Sequence, residues 1–255
     1  PVSDEYDLDT GPDPAAVAAS EPEPDADGRR SAVDAVGIGP GNPEYLTPRA
    51  ERSIREADVV VGFETVVEFV AGQTDADLLT CGYRDEAETL ATFADRVADG
   101  ERGTAVLMGD PNHSGYQFLG KVKAAVGAPV RVIPGISSLQ VAASRARTPM
   151  EDACFVTLHK SGDVTAGLQR LRRNVGQRHL LVLPRPYDWM PEDVAADLLE
   201  TGASASLDAL VLERLTHVDE VVTRTTLGAL GARATDSASE ESPFSDLSVL
   251  AVRSD

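Results

Sequence analysis

Cysteine is scarce in this chain of 255 residues, which contains only Cys81 and Cys154. Two cysteines are too few for a disulfide framework or for a metal cluster held by thiolates. We predict that both are buried, reduced side chains of a cytoplasmic protein, because free cysteine behaves as a small apolar group in a reducing compartment. For the same reason we expect no bound metal.

Long hydrophobic runs are also missing. No apolar run reaches the roughly 18 residues that a membrane-spanning helix needs, and the first residues lack the basic and then apolar pattern of a signal peptide. The hydrophobic content of 42% is nevertheless high enough for a packed core. The sequence therefore predicts a globular protein without membrane association.

Basic residues are few, and lysine is rare. The chain has 23 basic and 42 acidic side chains, a formal net charge of −19, and its lysines are Lys121, Lys123 and Lys160. Such an excess of negative charge argues against nucleic-acid binding, because phosphate groups are bound by basic surfaces. The composition is typical of proteins from extreme halophiles, where concentrated salt screens the repulsion. A merely acidic soluble protein is the alternative.

Large apolar residues are nearly absent from residues 1–30, where nine acidic side chains stand against Arg29 and Arg30 and prolines recur. A segment of this kind cannot bury enough apolar surface to offset the entropy that it loses on ordering. We predict that residues 1–31 form a disordered acidic tail that serves solubility.

From Ser31 onward, short apolar runs alternate with segments whose apolar residues recur at helical spacing. This alternation predicts the α/β class with a mainly parallel sheet, divided into an N-terminal domain over 32–134 and a C-terminal domain over 135–255. The predicted strands are 32–38, 59–61, 104–108, 130–133, 155–157, 180–183, 207–212, 221–225 and 248–252. The predicted helices are 85–99, 116–125, 137–146, 191–200 and one that Thr47 caps and Pro48 begins, and 232–243 is predicted to be a loop.

The first candidate motif, Gly37-Ile38-Gly39-Pro40-Gly41, directly follows the first predicted strand. It departs from the dinucleotide-binding fingerprint in the place of its third glycine, and Pro40 lacks the N–H that a phosphate-binding loop would supply. We interpret the motif as a tight turn whose glycines let a ligand or another part of the chain approach closely.

The second and third motifs also follow predicted strands. Open parallel sheets bind ligands at the carboxyl ends of their strands, which is where Asp110 lies. Asp110 could accept hydrogen bonds from ribose hydroxyls or from loop amides, or it could cap the next helix. His113 is a candidate acid or base, or a polar bystander. Ser137 and Ser138 would either begin a helix or face a polar ligand.

Taken in this order, the motifs resemble the tetrapyrrole (precorrin) methylase family. The resemblance rests on G-x-G-P-G-x-P-x-Y-L-T at 37–47, G-D-P at 109–111 and P-G-I-S-S at 134–138. Within the family, the stretch 134–145, followed by F-V-T-L-H ending at His159, is most similar to the cobalt-precorrin-7 C(5)-methyltransferases of cobalamin biosynthesis. The segments 213–220 and 225–230 agree, and the resemblance covers about residues 33–253.

The resemblance implies a two-domain α/β enzyme with a mainly parallel N-terminal sheet and a mixed C-terminal sheet. It implies methyl transfer from S-adenosylmethionine to a ring carbon, C(5), of cobalt-precorrin-7, by a cytoplasmic homodimer. Whether a companion precorrin decarboxylating methylase is a separate chain or a stable partner stays open. The alternatives are a relative that methylates another ring carbon, a diphthine synthase-like enzyme, and a non-catalytic subunit that binds the cofactor.

The resemblance also assigns site residues. Those implied at the cofactor are Asp110, His113, Ser137, Ser138, Leu183 and Thr226, while Gly39, Pro40 and Gly41 would face the tetrapyrrole. Because the substrate carries many carboxylates, which arginine binds in a bidentate manner, Arg84, Arg145 and Arg185 are candidate substrate-binding residues. No single catalytic residue is predicted, and His113 and His159 are the candidates for handling a proton.

Overall fold

The structure is a computed structural model that describes residues 13–20, 33–113, 115–160, 162–234 and 242–254. They form two compact units, of which unit 1 ends at Ser137 and unit 2 begins at Ser138. The division falls a few residues after the boundary predicted near Pro134, because the next residue, Gly135, packs against unit 1 and donates its N–H to Asp110.

Unit 1 contains a five-stranded sheet in which every neighbouring pair is parallel. Its strands are β1 (Val33–Gly37), β2 (Val59–Phe63), β3 (Asp77–Cys81), β4 (Gly103–Leu107) and β5 (Val130–Ile133), in the spatial order β3-β2-β4-β1-β5. The prediction of a parallel N-terminal sheet is confirmed. β3 is not among the predicted strands, because this edge strand exposes most of its side chains and has no continuous buried run.

The helices of unit 1 cover both faces of that sheet. They are α1 (Pro14–Ala19), α2 (Pro48–Glu56), α3 (Glu64–Val67), α4 (Glu86–Ala98) and α5 (Tyr116–Val126). Val59 and Val61 belong to the core beneath α4 and α5, while Val60 belongs to the core beneath α2 and α3. This alternation is the period of two that a strand buried on both faces requires. The predicted cap of α2 is confirmed, because the Thr47 hydroxyl accepts the N–H of Ala50 at 3.2 Å.

Helix α1 lies inside the segment that was predicted to be disordered, and for residues 13–20 that prediction is wrong. The Asp13 carboxylate caps the helix by accepting the N–H of Ala15 at 2.9 Å. Ala18 is buried, and its carbonyl accepts a hydrogen bond from Nζ of Lys123 on α5 at 3.2 Å. A Cβ placed on Gly120 would lie 1.7 Å from the Pro14 carbonyl oxygen, so the two helix backbones meet directly.

This contact is not predictable from the content of large apolar side chains, which is low in this segment. Here a small residue and a close backbone approach supply the packing instead. The other residues of the predicted tail lie outside the described part of the chain.

Unit 2 contains a mixed five-stranded sheet, as predicted. Its strands are β6 (Ala153–Thr157), β7 (His179–Leu183), β8 (Asp208–Glu213), β9 (Val221–Thr226) and β10 (Ser248–Val252), in the order β6-β7-β10-β8-β9. β6 and β7 are parallel, and the other neighbouring pairs are antiparallel. Most of the loop predicted over 232–243 lies outside the described residues.

The helices of unit 2 are α6 (Ser138–Ala146), α7 (Thr165–Asn174), α8 (Pro191–Glu200) and α9 (Leu227–Gly231). Two of them are not among the predicted helices. α7 has only Leu168 and Leu171 as buried residues, and α9 is short. None of the helices within the described ranges is long and apolar enough to cross a membrane.

Both cysteines are free and buried, as predicted. Burial raises the pKa of the Cys81 thiol to about 12, and the neighbouring carboxylates of Glu86 and Asp85 act in the same direction. Cys81 therefore stays a neutral, unreactive thiol in the folded chain.

Candidate cofactor and substrate site

Three adjacent strands of unit 1, β4, β1 and β5, carry the predicted motifs at their carboxyl ends. Since parallel strands end at the same edge of a sheet, the loops after these strands meet there. The loops begin at Ile38, Met108 and Pro134. The sequence interpretation that placed all three motifs at strand ends is confirmed by the strand bounds.

Three glycines bring these loops into direct backbone contact. A Cβ on Gly37 would lie 2.5 Å from the carbonyl oxygen of Gly109 and 2.6 Å from the nitrogen of Gly135. A Cβ on Gly135 would lie 2.2 Å from the same Gly109 oxygen. No side chain fits at either position, so glycine is required there for close approach. Gly109 itself has φ of +68°, which favours glycine for conformational reasons.

Backbone hydrogen bonds join the first two loops. The N–H of Gly109 donates to the Gly39 carbonyl at 2.8 Å, and the N–H of Gly39 donates to the Gly109 carbonyl at 3.2 Å. Gly39, Pro40 and Gly41 are all buried. Gly41 also lines a narrow crevice together with Leu46 and other residues of unit 1. The loop is therefore the tight turn that the sequence predicted, and its role toward a tetrapyrrole stays a prediction.

Asp110 ties the second loop to the third. One carboxylate oxygen accepts the N–H of Asn112 at 2.8 Å, and the other accepts the N–H of Gly135 at 2.9 Å. Of the roles that the sequence left open, acceptance from loop amides is the one that the structure shows. Asp110 thus fixes the backbone at the strand ends, and direct contact with a cofactor stays a prediction.

His113 lies in the same loop and is partly buried. Burial lowers the pKa of its imidazole, and the nearby Asp110 carboxylate opposes that shift. Its Nδ1 is buried and has no hydrogen-bond partner among the residues that the structure describes. An unpaired buried nitrogen is costly unless a ligand or water satisfies it, so His113 has capacity for one more hydrogen bond.

Ser137 and Ser138 follow the third loop. Ser137 is 8% exposed and is the last residue of unit 1. A Cβ placed on Gly109 would lie 3.7 Å from the Cα of Ser137. Ser138 is partly buried and is the first residue of α6. The predicted helix start is therefore confirmed to within one residue.

Arg84 is exposed in the loop between β3 and α4. β3 is an edge strand, separated from β4 by β2. Arg84 therefore lies at the carboxyl edge of the sheet, beside the three-loop cluster rather than within it.

In unit 2, His159 and Leu183 are neighbours at one edge of the sheet. Thr157, the last residue of β6, pairs with Leu183, and the N–H of Leu158 donates to the Leu183 carbonyl at 2.8 Å. His159 is exposed at its surface, yet desolvation by the surrounding protein lowers its pKa, against a backbone hydrogen bond with Pro184 that raises it.

Arg185 follows Leu183 and binds other parts of the protein. Its guanidinium pairs with the Asp188 carboxylate and donates to the carbonyl of Gly162 at 2.9 Å. Its backbone also exchanges two hydrogen bonds with Trp189. These contacts connect the loop after β6 to the loop after β7. They also leave few N–H donors of Arg185 for a substrate carboxylate.

Arg145 is likewise engaged. Its guanidinium forms a bidentate pair with Glu220, at 2.7 Å and 3.4 Å, and this pair lowers the pKa of the Glu220 carboxyl. Glu220 also accepts the N–H of Thr216 at 2.8 Å. A substrate carboxylate would therefore have to compete with Glu220 for the guanidinium of Arg145.

The loop that Glu220 holds is strained. Thr216 is buried and β-branched yet has φ of 72°, and Arg214 has φ of 45°. Such backbone is unfavourable for these residues and persists only where surrounding contacts enforce it. Glu220 and Thr216 were not predicted as site residues, because Arg145, the partner of Glu220, is distant in the chain and no local pattern indicates the loop.

The structure does not bring Thr226 and Leu183 together. β7 and β8 both run antiparallel to β10, so they run in the same direction. Leu183 ends β7, whereas Thr226 pairs with Asp208 at the start of β8, at the opposite edge of the sheet. The Thr226 hydroxyl caps α9 by accepting the N–H of Ala229 at 3.2 Å.

Comparison with known proteins identifies the family. The model of the tetrapyrrole (corrin/porphyrin) methylases matches residues 33–231, which is well over half of the chain. The chain belongs to this family. The resemblance inferred from the strand-end motifs is thereby confirmed, and the match begins at the first residue of β1 and ends at the last residue of α9.

Among curated relatives of this methylase, a probable cobalt-precorrin-7 C(5)-methyltransferase of Methanocaldococcus jannaschii is 31% identical over 191 residues. That alignment covers 73% of this chain and 85% of the relative. A siroheme synthase of Methylococcus capsulatus is 30% identical over 239 residues, which are 87% of this chain but 49% of that protein. A cobalt-factor III methyltransferase of Priestia megaterium is 31% identical over 132 residues, 48% of this chain and 24% of that protein.

Solved structures share the fold of the methylase. A cobalt precorrin-4 methyltransferase has a TM-score of 0.67 at 18% identity, covering 87% of this chain and 95% of the other. Uroporphyrin-III C-methyltransferase from Thermus thermophilus, complexed with S-adenosylhomocysteine, has a TM-score of 0.65 at 22% identity, with coverages of 87% and 91%. The predicted two-domain tetrapyrrole methylase fold is therefore confirmed.

As a tetrapyrrole methylase, the chain is a C-methyltransferase that uses S-adenosylmethionine. A tetrapyrrole substrate is consistent with the family. The residues of unit 1 suit this cofactor. Its strand-end loops offer backbone groups held by Asp110, and the Nδ1 of His113 has no hydrogen-bond partner within the described ranges. Within the described ranges, no group of three or more His, Cys, Asp or Glu side chains could hold a metal ion.

Proposed function

We propose that this methylase transfers a methyl group to C(5) of cobalt-precorrin-7 in cobalamin biosynthesis. The observation that carries the proposal is the similarity to the Methanocaldococcus jannaschii protein, which this chain covers for 85% of its length at 31% identity. The chain spans less than half of the siroheme synthase and about a quarter of the cobalt-factor III methyltransferase. These two relatives therefore support membership of the family, and they say less about which reaction this chain catalyses.

The cofactor would be held by the three loops at the carboxyl ends of β4, β1 and β5. Asp110 fixes two of these loops through Asn112 and Gly135, and its negative charge favours a cation nearby. His113 would contribute its Nδ1, for which the described part of the chain supplies no partner, and Ser137 would contribute a hydroxyl. Ser138, Leu183 and Thr226 stay in the proposal as further cofactor residues.

S-adenosylmethionine, when bound, supplies a methyl group on a positively charged sulfur that an electron-rich ring carbon can displace in line. The main task of the protein is then alignment, because correct positioning of two reactants removes a large entropic part of a barrier. Direct backbone packing at Gly37, Gly109 and Gly135 gives the rigid support that alignment needs.

The two histidines have the protonation state that a proton acceptor requires. The pKa of His113 and that of His159 both lie below the ordinary value of 6.5, chiefly because of desolvation, so both rings are neutral at neutral pH. A neutral imidazole can accept a proton that a methylated ring carbon or its neighbour loses. We propose His113 or His159 for this role, without requiring a strong base.

On the substrate side, we propose that Gly39, Pro40 and Gly41 border the tetrapyrrole and that Arg84 binds one of its carboxylates. Arg145 and Arg185 are placed as supports of the loops in unit 2, through Glu220 and Asp188 respectively. They would reach a substrate only by exchanging these partners.

The deciding experiment is transfer of a carbon-13 methyl group from labelled S-adenosylmethionine to cobalt-precorrin-7, with the product analysed by NMR and mass spectrometry. The proposal expects one added methyl, at C(5). A methyl at another carbon assigns a different reaction within the family. Methylation of uroporphyrinogen III would favour the kind of activity named for the Thermus thermophilus uroporphyrin-III C-methyltransferase.

Titration with S-adenosylhomocysteine accompanies that assay. Binding of this product without transfer to any tetrapyrrole would indicate a non-catalytic cofactor-binding subunit, and transfer to a protein would indicate a diphthine synthase-like enzyme. We further propose that the protein is a cytoplasmic homodimer and that it comes from a halophile. Sedimentation in salt-containing buffer tests the dimeric state. Mixing with a companion decarboxylating methylase would show a stable complex or separate chains.

A further inference from the structure

The turn that follows β7 presents an aromatic ring to solvent. It begins at Arg185 and ends at Trp189, and the backbones of these two residues exchange hydrogen bonds at 3.0 Å and 3.1 Å. Trp189 packs against the core of unit 2, whereas Tyr187, in the middle of the turn, is 82% exposed. We call residues 185–189 the β7 turn.

The backbone of Tyr187 has a conformation that suits glycine. Its φ is +77°, and the ring of the preceding Pro186 fixes the φ of that residue at about −65°. A proline followed by a residue with positive φ is characteristic of a type II turn, in which the second of these positions normally holds glycine. A bulky residue with such backbone is strained, and strain of this kind is concentrated at functional sites, where surrounding contacts enforce it.

Arg185 supplies contacts that enforce this backbone. Its guanidinium pairs with Asp188 inside the β7 turn. It also donates to the carbonyls of Lys160 and Gly162, at 3.5 Å and 2.9 Å, in the loop after β6. The β7 turn is therefore fixed before a ligand arrives, so less conformational freedom is lost when a ligand packs on the ring of Tyr187.

The β7 turn adjoins residues of the proposed site in unit 2. β7 ends at Leu183, and its parallel neighbour β6 ends at Thr157, two residues before His159. Leu183 is a proposed cofactor residue, and His159 is a proposed proton acceptor. Tyr187 thus follows the first of these residues along the chain, in a turn that is hydrogen-bonded to the loop containing the second.

The side chain of Tyr187 is open to a ligand. Within the described part of the chain it makes neither a ring contact nor a hydrogen bond. An exposed aromatic ring on a fixed backbone offers a face on which another conjugated ring can stack in an offset arrangement. A tetrapyrrole macrocycle has such a face.

A positive charge lies beside the β7 turn. Lys160 is exposed, and its ammonium group forms no ion pair within the described ranges. Hydrogen bonds from Thr165 are the chief cause of the lowered pKa of the Asp163 carboxyl, and the charges of Lys160 and Arg185 act in the same direction. Because both charges act on one carboxylate, the ammonium of Lys160 lies in the region of the Arg185 guanidinium. An aromatic ring with an ammonium group nearby matches a ligand that is conjugated and carries carboxylates.

We propose that Tyr187 is the surface of unit 2 on which the tetrapyrrole macrocycle stacks, with Lys160 pairing with one of its peripheral carboxylates. This inference rests on the proposed function for the class of substrate, but it does not depend on which ring carbon is methylated. Arg185 is then a positioning residue, which acts on the substrate through the conformation of the β7 turn.

The test uses the full chain and uroporphyrin III, a stable porphyrin with carboxylates around its ring, as the probe. Binding is followed by the shift of its absorption band in the presence of S-adenosylhomocysteine. We expect Tyr187→Ala to weaken uroporphyrin binding about fivefold, while Tyr187→Phe, which keeps the ring, binds as the parent does. Lys160→Gln should weaken binding at low salt, and this difference should shrink at high salt because salt screens the charge.

Tyr187→Gly separates binding from stability. Glycine adopts positive φ without strain, so the melting temperature should equal or exceed that of the parent while uroporphyrin affinity falls as in Tyr187→Ala. Met150→Ala is the matched control, because Met150 is an exposed residue of unit 2 that precedes β6, at the opposite edge of the sheet. It should leave uroporphyrin affinity unchanged.

Unchanged uroporphyrin affinity in Tyr187→Ala and Tyr187→Gly overturns the inference, as does a parent protein that binds no uroporphyrin or an equal loss in Met150→Ala. An equal loss of S-adenosylhomocysteine affinity in Tyr187→Ala also overturns it, because the ring then serves the cofactor. If Tyr187→Ala changes the sedimentation of the protein and leaves uroporphyrin affinity intact, the ring contacts a second copy of the chain instead.

The two proposals fail separately. If the labelled methyl arrives at a carbon other than C(5) while Tyr187→Ala still weakens uroporphyrin binding, the reaction is reassigned and the stacking surface stands. If the methyl arrives at C(5) and Tyr187→Ala binds uroporphyrin normally, the reaction stands and the surface is lost.

Discussion

The carboxylate of Asp110 accepts the backbone N–H of Gly135 at 2.9 Å, across 25 positions of the chain. This bond joins the loop after β4 to the loop after β5, while the second oxygen of the same carboxylate closes its own loop through Asn112. One side chain therefore fixes two of the three loops at which the cofactor is proposed to bind.

We expect Asp110→Ala to weaken S-adenosylhomocysteine binding by roughly 1–3 kcal/mol, the cost of losing hydrogen bonds that involve a charged group. Calorimetric titration measures the affinity. Asp110→Asn is the matched control, because its amide keeps one acceptor oxygen and should retain part of the affinity. If the Asp110→Ala protein folds and binds S-adenosylhomocysteine with the affinity of the parent, the carboxylate stabilises the loop and does not contribute to cofactor binding.

Gly135→Ala should disrupt the three-loop cluster. The new Cβ would lie 2.2 Å from the Gly109 carbonyl oxygen, and backbone on both sides leaves little room to relax. We expect a loss of roughly 1–3 kcal/mol in the free energy of unfolding, as is typical of overpacking, together with weaker cofactor binding. Gly72→Ala is the control, because nothing lies within 4 Å of its Cβ position. Equal denaturation midpoints for the two variants would contradict the packing argument.

The pH dependence of stability should carry a contribution from His113. Its pKa in the folded state lies below the unfolded value of about 6.5, so the unfolded chain binds more protons as the pH falls through that value. Stability is therefore present at neutral pH and is lost on acidification. Denaturant midpoints of the parent and of His113→Gln, measured from pH 7.5 to about 5, should show the steeper loss in the parent. Parallel curves for the two proteins would remove His113 from this role.

Salt should stabilise the fold. A net charge of −19 repels itself at low ionic strength, and screening shortens that repulsion to a few Å at molar salt. We expect melting temperatures from circular dichroism to rise across a series from low to molar sodium chloride. A melting temperature that is equal or higher at low salt would contradict the halophilic interpretation.

Truncation distinguishes α1 from the acidic residues that precede it. Removing residues 1–12 keeps Asp13 and α1, so the melting temperature at high salt should stay that of the parent. Removing residues 1–20 takes away the buried Ala18 and the carbonyl that receives the Lys123 hydrogen bond, so the melting temperature should fall. If both truncated chains melt like the parent, docking of α1 on α5 contributes nothing to stability.

Elements that bury a continuous apolar run or a wide helical stripe were predictable from sequence. β4 buries all five of its residues, and α4 buries Leu90, Phe93 and Val97 on one face. The elements that were missed lack such a signal. α7 buries only Leu168 and Leu171 amid exposed arginines, and α1 depends on a backbone approach at Gly120 that no composition count detects.

The candidate site was predictable to the level of its loops but not of its contacts. The motifs placed Asp110 and Ser137 at strand ends, because turn residues after a buried strand are a local pattern. The pairing of Arg145 with Glu220, 75 positions away, depends on how the strands are ordered, which local sequence does not encode. Arg185 differs, because its partner Asp188 lies only three positions away and the pairing depends on the geometry of the turn between them.

The turn after β7 also gives the molecule a built-in reporter. Trp189, whose backbone exchanges two hydrogen bonds with Arg185, is the single tryptophan of the chain and lies in unit 2. Tryptophan emission therefore follows the unfolding of unit 2, whereas far-ultraviolet circular dichroism follows the helices of both units. If the two signals change at different denaturant concentrations, the units unfold as separate cooperative blocks, and coincident curves mean that they melt as one.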